Sequence, residues 1–399
     1  MNVIREIQAF NAGRDPERLA LKYQKMRSSP FGFLRASCHL FYSRLPKTEL
    51  FKAAPLTWIC GDLHLENFGS YKGNNRLSYF DLNDFDEAAL APASWELLRM
   101  LTSLLVGAES LSIQPSDSRA LCSIFLNSYA ATLAAGKAYW VESETAQGMI
   151  RALLVGLTNR KRVDFLQSRT LLKGKKRVLK LDGKKALAVS DPQRKAVTDF
   201  MARFAKTQTE PEFFKVLDVA RRIAGTGSLG VNRYAILVAG KGAPDGHYLL
   251  DLKQALESSV ATHFLSSQPQ WPSEAHRIVE IQRRMQAVSV ALLQPVRLGE
   301  DSYVIRELQP QEDRVSLDRT HQTLEELELV VRNMGQMLAW AQLRSAGRQG
   351  SAIADDLIAF GLRKKWKEKL LTTARSCAVQ VKKDAAVFNA AFDAGKFHA

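Results

Sequence analysis

The sequence contains no run of about 18 apolar residues, so it predicts no membrane-spanning helix. Residues 1–26 also lack the apolar core of a signal peptide, and we therefore expect a cytoplasmic protein. The sequence also has no excess of polar residues: 46% of its 399 residues are hydrophobic and 24% are charged. A chain this apolar can bury a large core, which excludes intrinsic disorder. Its length predicts two domains or one two-lobed unit.

Cysteine is scarce. The four cysteines are Cys38, Cys60, Cys122 and Cys377, and none lies in a CxxC pair or at the Cys/His spacing of a zinc site. This spacing is against both a zinc site and a disulfide framework. We expect reduced, buried thiols instead.

Positive charge is abundant and concentrated in one stretch. The chain carries 56 Lys+Arg against 41 Asp+Glu, a net charge of +15. Residues 160–195 hold 13 Lys/Arg and 3 Asp, so 13 − 3 = +10 of this charge lies there. Alternating residues and the Asp182-Gly183 turn predict an exposed basic β-hairpin. Such a hairpin is usually only solvated, and nucleic-acid binding is a possible but not favoured role for it.

A glycine-rich segment lies between two predicted strands. Residues 216–224 are followed by Gly225-Thr226-Gly227-Ser228-Leu229-Gly230 and then by the strand Tyr234–Val238. A dinucleotide-binding fingerprint needs a helix after the glycines, whereas strand, glycine loop and strand are typical of a kinase phosphate-binding loop. A tight structural hairpin is the alternative. Lys253 ends the next predicted strand, where a kinase needs a lysine to hold phosphates.

Acidic and amide side chains cluster earlier in the chain. Two predicted strands, residues 56–60 and 77–82, resemble a hairpin, and Asp62, His64 and Asn67 follow the first. Asp84 and Asp86 follow the second. Phosphoryl transfer needs a carboxylate to accept the hydroxyl proton and oxygen ligands for Mg²⁺. An acidic turn is the alternative, although its carboxylates would repel one another without a cation.

These segments carry a resemblance. The runs Asp62-Leu-His-Leu-Glu-Asn67 and Asp84-Phe-Asp-Glu-Ala resemble the catalytic and metal loops of aminoglycoside phosphotransferase-type kinases. More closely, the chain resembles the bacterial family DUF2252 over about residues 20–350. The further segments that carry this likeness are residues 26–35, 221–230, 253–255, 277–286 and 303–308.

The resemblance implies a role for each matching residue. Asp62 would be the catalytic base, with His64 a second catalytic candidate that more often supports such a loop. Asn67 and Asp84, with Asp86 as a further candidate, would hold Mg²⁺. Gly225, Thr226, Gly227, Ser228, Gly230 and Lys253 would bind ATP.

Two positions depart from these patterns. Cys60 replaces the first histidine of the phosphotransferase loop, and Gln254 stands where the DUF2252 pattern has Glu. The carboxylate partner of Lys253 stays open among Glu257, Glu274 and Glu280.

The order of the segments is the reverse of that in a kinase, because the catalytic loop precedes the glycine loop. We therefore predict an α+β, two-lobed, protein-kinase-like fold that is circularly permuted. Residues 200–318 would form the nucleotide-binding lobe. Residues 1–199, which carry the catalytic and metal loops and the basic segment 160–195, would join 319–399 in a helical lobe.

The expected function is transfer of the γ-phosphoryl group of ATP, with Mg²⁺, to a hydroxyl of a small molecule. Two alternatives remain open. One is transfer of AMP on the same fold, and the other is a non-catalytic protein that binds ATP or nucleic acid. The acceptor and the oligomeric state cannot be derived from the sequence.

Overall fold

A computed structural model describes residues 2–46, 51, 53–174, 176–243, 245–264, 268–308 and 314–397. The fold mixes helices and strands, as predicted. The helices of the described residues are α1 (Val3–Phe10), α2 (Pro16–Ser28), α3 (Pro30–Ala36), α4 (Cys38–Ser43), α5 (Ala93–Gly107), α6 (Pro115–Ala135), α7 (Gly148–Asn159), α8 (Arg162–Arg169), α9 (Asp191–Ala205), α10 (Glu274–Met285), α11 (Leu324–Ser345), α12 (Ala354–Leu362) and α13 (Lys365–Asp393). The strands are β1 (Leu56–Ile59), β2 (Phe68–Lys72), β3 (Ser78–Leu82), β4 (Ala89–Pro92), β5 (Val141–Glu142), β6 (Thr170–Lys173), β7 (Lys176–Leu179), β8 (Ala186–Leu187), β9 (Val216–Arg222), β10 (Arg233–Val238), β11 (Tyr248–Gln254), β12 (Gln294–Leu298) and β13 (Asp301–Glu307).

The helical body is built around α5. Thirteen of its fifteen residues are buried, because α6 and α13 pack against it. Its central residues Leu97, Leu98 and Leu101 are completely buried and belong to the largest apolar core. Helix α11 begins at a capping box, in which the Thr323 hydroxyl accepts a hydrogen bond from the Glu326 amide. Helix α5 is buried on nearly every side, and such a helix is stable only at the centre of a bundle.

The second part of the fold is a six-stranded antiparallel sheet. Its strand order is β12-β13-β11-β10-β9-β8, and it curls into a half-barrel. One face carries Ile236, Leu250 and Ile305, which pack against Val197 and Met201 of α9. The predicted boundary at residues 199 and 200 therefore falls inside a helix that packs on the sheet.

The opposite face of the sheet has an apolar half and a charged half. The apolar half includes Ala235 and Leu249, and it is covered by Leu166 of α8 and Leu179 of β7. Arg233 and Lys253 belong to the charged half, since side chains alternate along each strand. The charged half of the sheet faces the cavity described below.

The basic segment differs from its prediction. Residues 162–169 form a helix, and the hairpin that follows turns between β6 and β7 rather than at Asp182-Gly183. The Asp182 carboxylate accepts hydrogen bonds from the amides of Lys184 and Lys185, in the connection to β8. Strand β8 pairs with β9 of the large sheet. The prediction of one exposed hairpin was wrong because Leu166 and Leu179 are buried against that sheet.

The predicted hairpin of residues 56–60 and 77–82 was also wrong. Strand β1 pairs with β4, whereas β2 and β3 form the hairpin. The loops that follow β1 and β3 nevertheless meet, because the Asn83 amide donates a hydrogen bond to the Asn67 carbonyl. This contact joins the two acidic segments.

No helix of the described residues is long and apolar enough to cross a membrane. The cysteines are free thiols, as predicted. Cys38, Cys60 and Cys122 are buried, whereas Cys377 is only partly buried.

Candidate functional site

Several distant segments of the chain line one cavity of about 790 Å³. Of the predicted site residues, the cavity is lined by Asp62, His64, Asn67, Asp84, Asp86, Gly225, Thr226, Gly227, Ser228 and Lys253. Gly230 lies outside this lining. It has a φ of +88°, and a Cβ there would lie 2.8 Å from Cβ of Arg14. The structure therefore brings the predicted catalytic, metal-binding and phosphate-binding segments to one place.

Asp62 is held by one carboxylate oxygen and faces the glycine loop with the other. Arg99 of α5 donates from Nε to Asp62 Oδ1 at 2.8 Å, and its Nη2 donates to the same oxygen. A Cβ at Gly227 would lie 3.8 Å from Asp62 Oδ2. Burial raises the pKa of Asp62 above its usual value, although Arg99 opposes this shift. A base of raised pKa is better matched to proton abstraction near neutral pH.

Glu96 supports the backbone of the same loop. Its Oε1 accepts hydrogen bonds from the amides of Cys60 at 2.7 Å and Gly61 at 3.3 Å. Burial raises the pKa of Glu96 to about 7. Sequence reasoning missed Glu96 and Arg99. The sequence signal that could have found them is a pair of charged residues three positions apart in a helix that is otherwise uncharged.

Gly61 needs the absence of a side chain. Its φ is +83°, and a Cβ would lie 2.1 Å from the Glu87 carbonyl oxygen. Only glycine adopts this conformation in so narrow a space. The chain therefore turns tightly just before Asp62.

The His64 ring supports the loop. Its Nδ1 accepts a hydrogen bond from the Glu66 amide at 3.1 Å, and its ring contacts Phe31 edge-on. Burial lowers the pKa of His64 well below its usual value, and Arg35 lowers it further. The imidazole is therefore neutral at physiological pH.

Asn67 ties the two acidic segments together. Its Oδ1 accepts the Asp84 amide at 2.7 Å, and its Nδ2 donates to the carbonyls of Asp62 and Asp84, both at 3.2 Å. Asp84 itself is exposed on the cavity wall. Burial of its surroundings raises its pKa, but Lys253, Arg306 and Arg233 lower it more, so that the net shift is downward. Asp84 is therefore ionised at neutral pH.

The side-chain oxygens of Asp84 and Asn67 fit a magnesium ion that is shared with a nucleotide. The described residues hold no group of three His, Cys, Asp or Glu side chains that could bind a metal ion without other ligands. Mg²⁺ in nucleotide sites needs only one or two carboxylates, because phosphates and water supply its other ligands. The Asp84 carboxylate and Oδ1 of Asn67 provide such oxygens.

Lys253 pairs with Asp86. Its Nζ forms an ion pair with Asp86 Oδ2 across the cavity. Of the three glutamates considered as partners, Glu274 pairs with Arg277 and Glu280 pairs with Arg283, whereas Glu257 only lines the cavity. Those expectations were wrong because the partner comes from the distant metal loop. Asp86 therefore meets a lysine where a metal ion was predicted.

Three further arginines surround one buried carboxylate beside Lys253. Asp251 accepts two hydrogen bonds from Arg233, at 2.7 and 2.6 Å, and pairs with Arg222 at 2.7 Å and Arg306 at 3.5 Å. Although burial raises the pKa of Asp251, Arg222 and Arg233 bring it well below its usual value. All three arginines line the cavity. Their excess positive charge suits the phosphates of a ligand.

The N-terminal helices hold the glycine loop. The Gly227 carbonyl accepts hydrogen bonds from Nη1 of Arg14 at 2.8 Å and from Nζ of Lys22 at 2.9 Å. Arg14 also donates to the Leu229 carbonyl at 3.1 Å. Lys22 is completely buried, and burial lowers its pKa well below the usual value. Nothing in the local pattern of α2 distinguishes Lys22 from a solvated lysine, so sequence reasoning missed it.

The fold and the site define a mixed α/β protein with a charged cavity between a helical body and a curled sheet. The chain belongs to the family described as "Uncharacterized protein conserved in bacteria (DUF2252)", whose model matches residues 14–391. No curated protein and no solved structure matches the chain.

Proposed function

We propose that this protein is a phosphotransferase that uses ATP and Mg²⁺, on a two-lobed, kinase-like and circularly permuted fold. The observation that carries the proposal is the meeting of Asp62, Asn67, Asp84 and Lys253 with the glycine loop in one cavity. The acidic loops and the glycine loop are about 140 residues apart in the chain. Two turns with only a structural role would have no need to share a cavity. The charges of these side chains are those that phosphoryl transfer requires.

Each residue has a role in the proposed reaction. Oδ2 of Asp62 accepts the proton of the acceptor hydroxyl, while Arg99 keeps Oδ1 in place. The hydroxyl oxygen bonds to the γ-phosphorus as the bond to the β,γ-bridging oxygen breaks, and ADP leaves. Mg²⁺, when bound, neutralises the phosphate charge. Lys253 and the amides of the glycine loop orient the phosphates.

One observation favours AMP transfer as a second candidate. A nucleotide base on the apolar half of the sheet face would collide with Leu166 and Leu179. The cavity instead extends to Phe10 and His39, whose rings stack with centroids 3.8 Å apart. A base at that end would reverse the direction of the nucleotide. In that direction the acceptor would attack the α-phosphorus, and pyrophosphate would leave.

The first experiment is thermal melting with and without Mg-ATP. We expect a ligand at 100 times its Kd to stabilise the wild type by about 2.7 kcal/mol, a rise of roughly a few degrees. Asp84→Ala should lose this rise, whereas Asp356→Ala, which changes an exposed helix residue, should keep it. If no nucleotide raises the melting temperature of the wild type, the proposal is wrong.

The two reactions are separated by the position of a radiolabel. Label from the γ-phosphate of ATP should pass to the acceptor in phosphoryl transfer. Label from the α-phosphate should pass in AMP transfer. Asp62→Asn should abolish either transfer while the Mg-ATP melting rise remains.

A further inference from the structure

We propose that the acceptor carries an anionic group, a phosphate or a carboxylate, which binds between Lys25, Arg35 and Arg314. The cavity is lined by all three side chains, and none of them belongs to the predicted phosphate-binding set. That the bound molecule is an acceptor rests on the proposed function. The anion site itself can be tested without any reaction. We call these three side chains and Glu66 the Arg35 cluster.

The Arg35 cluster has more positive than negative charge. Nη1 of Arg35 and Nη1 of Arg314 both lie 2.6 Å from the same atom, Oε2 of Glu66. Lys25 adds a third cation, so the four side chains of the cluster carry 3 − 1 = +2, and Asp62 and Asp84 of the neighbouring loops also act on Arg35. Burial lowers the pKa of Lys25, and the neighbouring Arg35 lowers it further because like charges repel. A bound anion would relieve this repulsion.

Arg35 is the buried member of the cluster. Its side chain is 14% exposed, whereas those of Arg314 and Glu66 are 41% and 40% exposed. Among the residues that the structure describes, no hydrogen-bond partner is found for Nε of Arg35. A desolvated guanidinium with an unused donor binds planar or tetrahedral anions well, because its donors form a fixed fork.

The Glu66 carboxylate shows how an anion is held. Its Oε2 atom accepts a hydrogen bond from Arg314 and forms an ion pair with Arg35, and the Glu66 side chain is 40% exposed. A ligand phosphate or carboxylate can take its place or share the arginines. A neutral sugar or alcohol would leave the surplus charge unpaired.

The Arg35 cluster lies on the Asp62 side of the site. Against the effect of burial, the Arg35 guanidinium lowers the pKa of Asp62. The Arg35 backbone is near as well, because its carbonyl oxygen would lie 3.0 Å from a Cβ at Gly227, the position that lies 3.8 Å from Asp62 Oδ2. Lys253 instead pairs with Asp86. The cavity thus offers one cationic region beside the metal loop for the nucleotide and another beside the proposed base. A small molecule anchored by its anion in the second region presents its hydroxyl to Asp62.

The test is calorimetric binding of inorganic phosphate at low ionic strength, in the absence of nucleotide. We expect Arg314→Gln and Lys25→Gln to raise the phosphate Kd about tenfold or more. Arg363→Gln, which changes an exposed arginine outside the cavity lining, should leave the phosphate Kd unchanged. Glu66→Gln should lower the Kd because it removes the competing carboxylate. A variant that was merely damaged could not bind phosphate more tightly.

Acetate is the second probe and distinguishes the two anion chemistries. Displacement of phosphate by acetate would support a site that also takes carboxylates. Failure of acetate to displace phosphate would support a phosphorylated acceptor.

Three results would overturn the inference. They are no phosphate binding by the wild type, a phosphate Kd that Lys253→Gln raises as much as Arg314→Gln does, and a Kd that Glu66→Gln does not lower. The proposed function is tested separately, by the rise in melting temperature that Mg-ATP causes. Loss of that rise with intact phosphate binding would remove the phosphotransferase and leave the anion site. The reverse result would leave a phosphotransferase whose acceptor is neutral.

Discussion

At the scale of single residues, the geometry around Asp62 depends on the first turns of α5. Glu96 binds the backbone amides before Asp62, and Arg99 binds its carboxylate. Both side chains are completely buried in the apolar core beneath the loop. Buried side chains therefore fix the Asp62 carboxylate and the backbone before it, and water cannot replace these contacts.

We predict that Glu96→Ala destabilises the protein by about 2–4 kcal/mol, because the amides of Cys60 and Gly61 lose their acceptor. Glu96→Gln keeps an acceptor oxygen and should cost much less. Urea unfolding at constant pH measures both. Equal destabilisation by the two variants would show that the carboxylate charge, not the hydrogen bonds, is what the loop requires.

Glu96 also predicts a pH dependence of stability. Burial raises its pKa to about 7 in the folded protein, whereas the unfolded chain releases the proton near its usual value of 4.5. Between these values the folded state binds the additional proton, so the free energy of unfolding falls as pH rises. The contribution is roughly 3 kcal/mol and is complete above pH 7. Urea unfolding from pH 5 to pH 8 should show a shallower fall in Glu96→Gln than in the wild type, and parallel curves would contradict this assignment.

At the scale of elements, the glycine loop lies directly over Asp62. We predict that Gly227→Ala weakens Mg-ATP binding, because its Cβ would lie 3.0 Å from the Arg35 carbonyl oxygen and would displace the loop. The strain should cost ~1–3 kcal/mol of stability. Gly156→Ala is the matched control: that glycine lies inside α7 with no atom within 4 Å of an added Cβ. Thermal melting with Mg-ATP should show a normal rise for the control and a reduced rise for Gly227→Ala.

The glycine loop also depends on α2 and on the turn that precedes it. We predict that Arg14→Ala increases amide hydrogen exchange across residues 225–231, because the carbonyls of Gly227 and Leu229 lose a charged donor. Arg5→Ala changes an exposed residue of α1 and should leave exchange in the loop as it is in the wild type. Unchanged exchange in Arg14→Ala would mean that the hydrogen bonds from Lys22 and from the Asp15 amide hold the loop without Arg14.

Elements could be predicted from the sequence where local pattern decides them. Helices α5, α6 and α11 follow from apolar spacing, and strand, glycine loop and strand follow from β-branched residues around the glycines. Pairings between distant segments could not be predicted. The partner of β1 is β4, and the partner of Lys253 is Asp86, because three-dimensional packing and not sequence proximity selects them. The hairpin at β6 and β7 was misplaced since Asp182-Gly183 has ideal turn residues but joins two different sheets.

At the scale of the whole molecule, the N- and C-terminal helices are neighbours. Nε2 of Gln8 donates to the Lys396 carbonyl at 3.1 Å, and the rings of Tyr23 and Phe397 have centroids 4.9 Å apart. We predict that joining these ends with a short Gly/Ser linker, and opening the chain at the exposed Thr209, gives a folded protein. Its segments would then follow the order expected of a kinase.

The permuted protein should show the same melting rise with Mg-ATP as the natural order. A second permutant, opened at Leu98 inside α5, is the control and should not fold, because Leu98 is completely buried. Failure of the first permutant to fold would show that the connection after α9 is needed for assembly and would weaken the case for a permuted kinase-like fold.

The position of α13 has a consequence for the protein while it is being made. This last helix packs on α5 and α3, and its Phe388 ring lies 5.7 Å from that of Phe33. A ribosome therefore releases the acidic loops well before the helix that covers their support, because α13 lies about 280 residues later in the chain. Until then α5 exposes apolar side chains that chaperones and proteases recognise. We therefore expect a message broken before α13 to yield a polypeptide that is degraded.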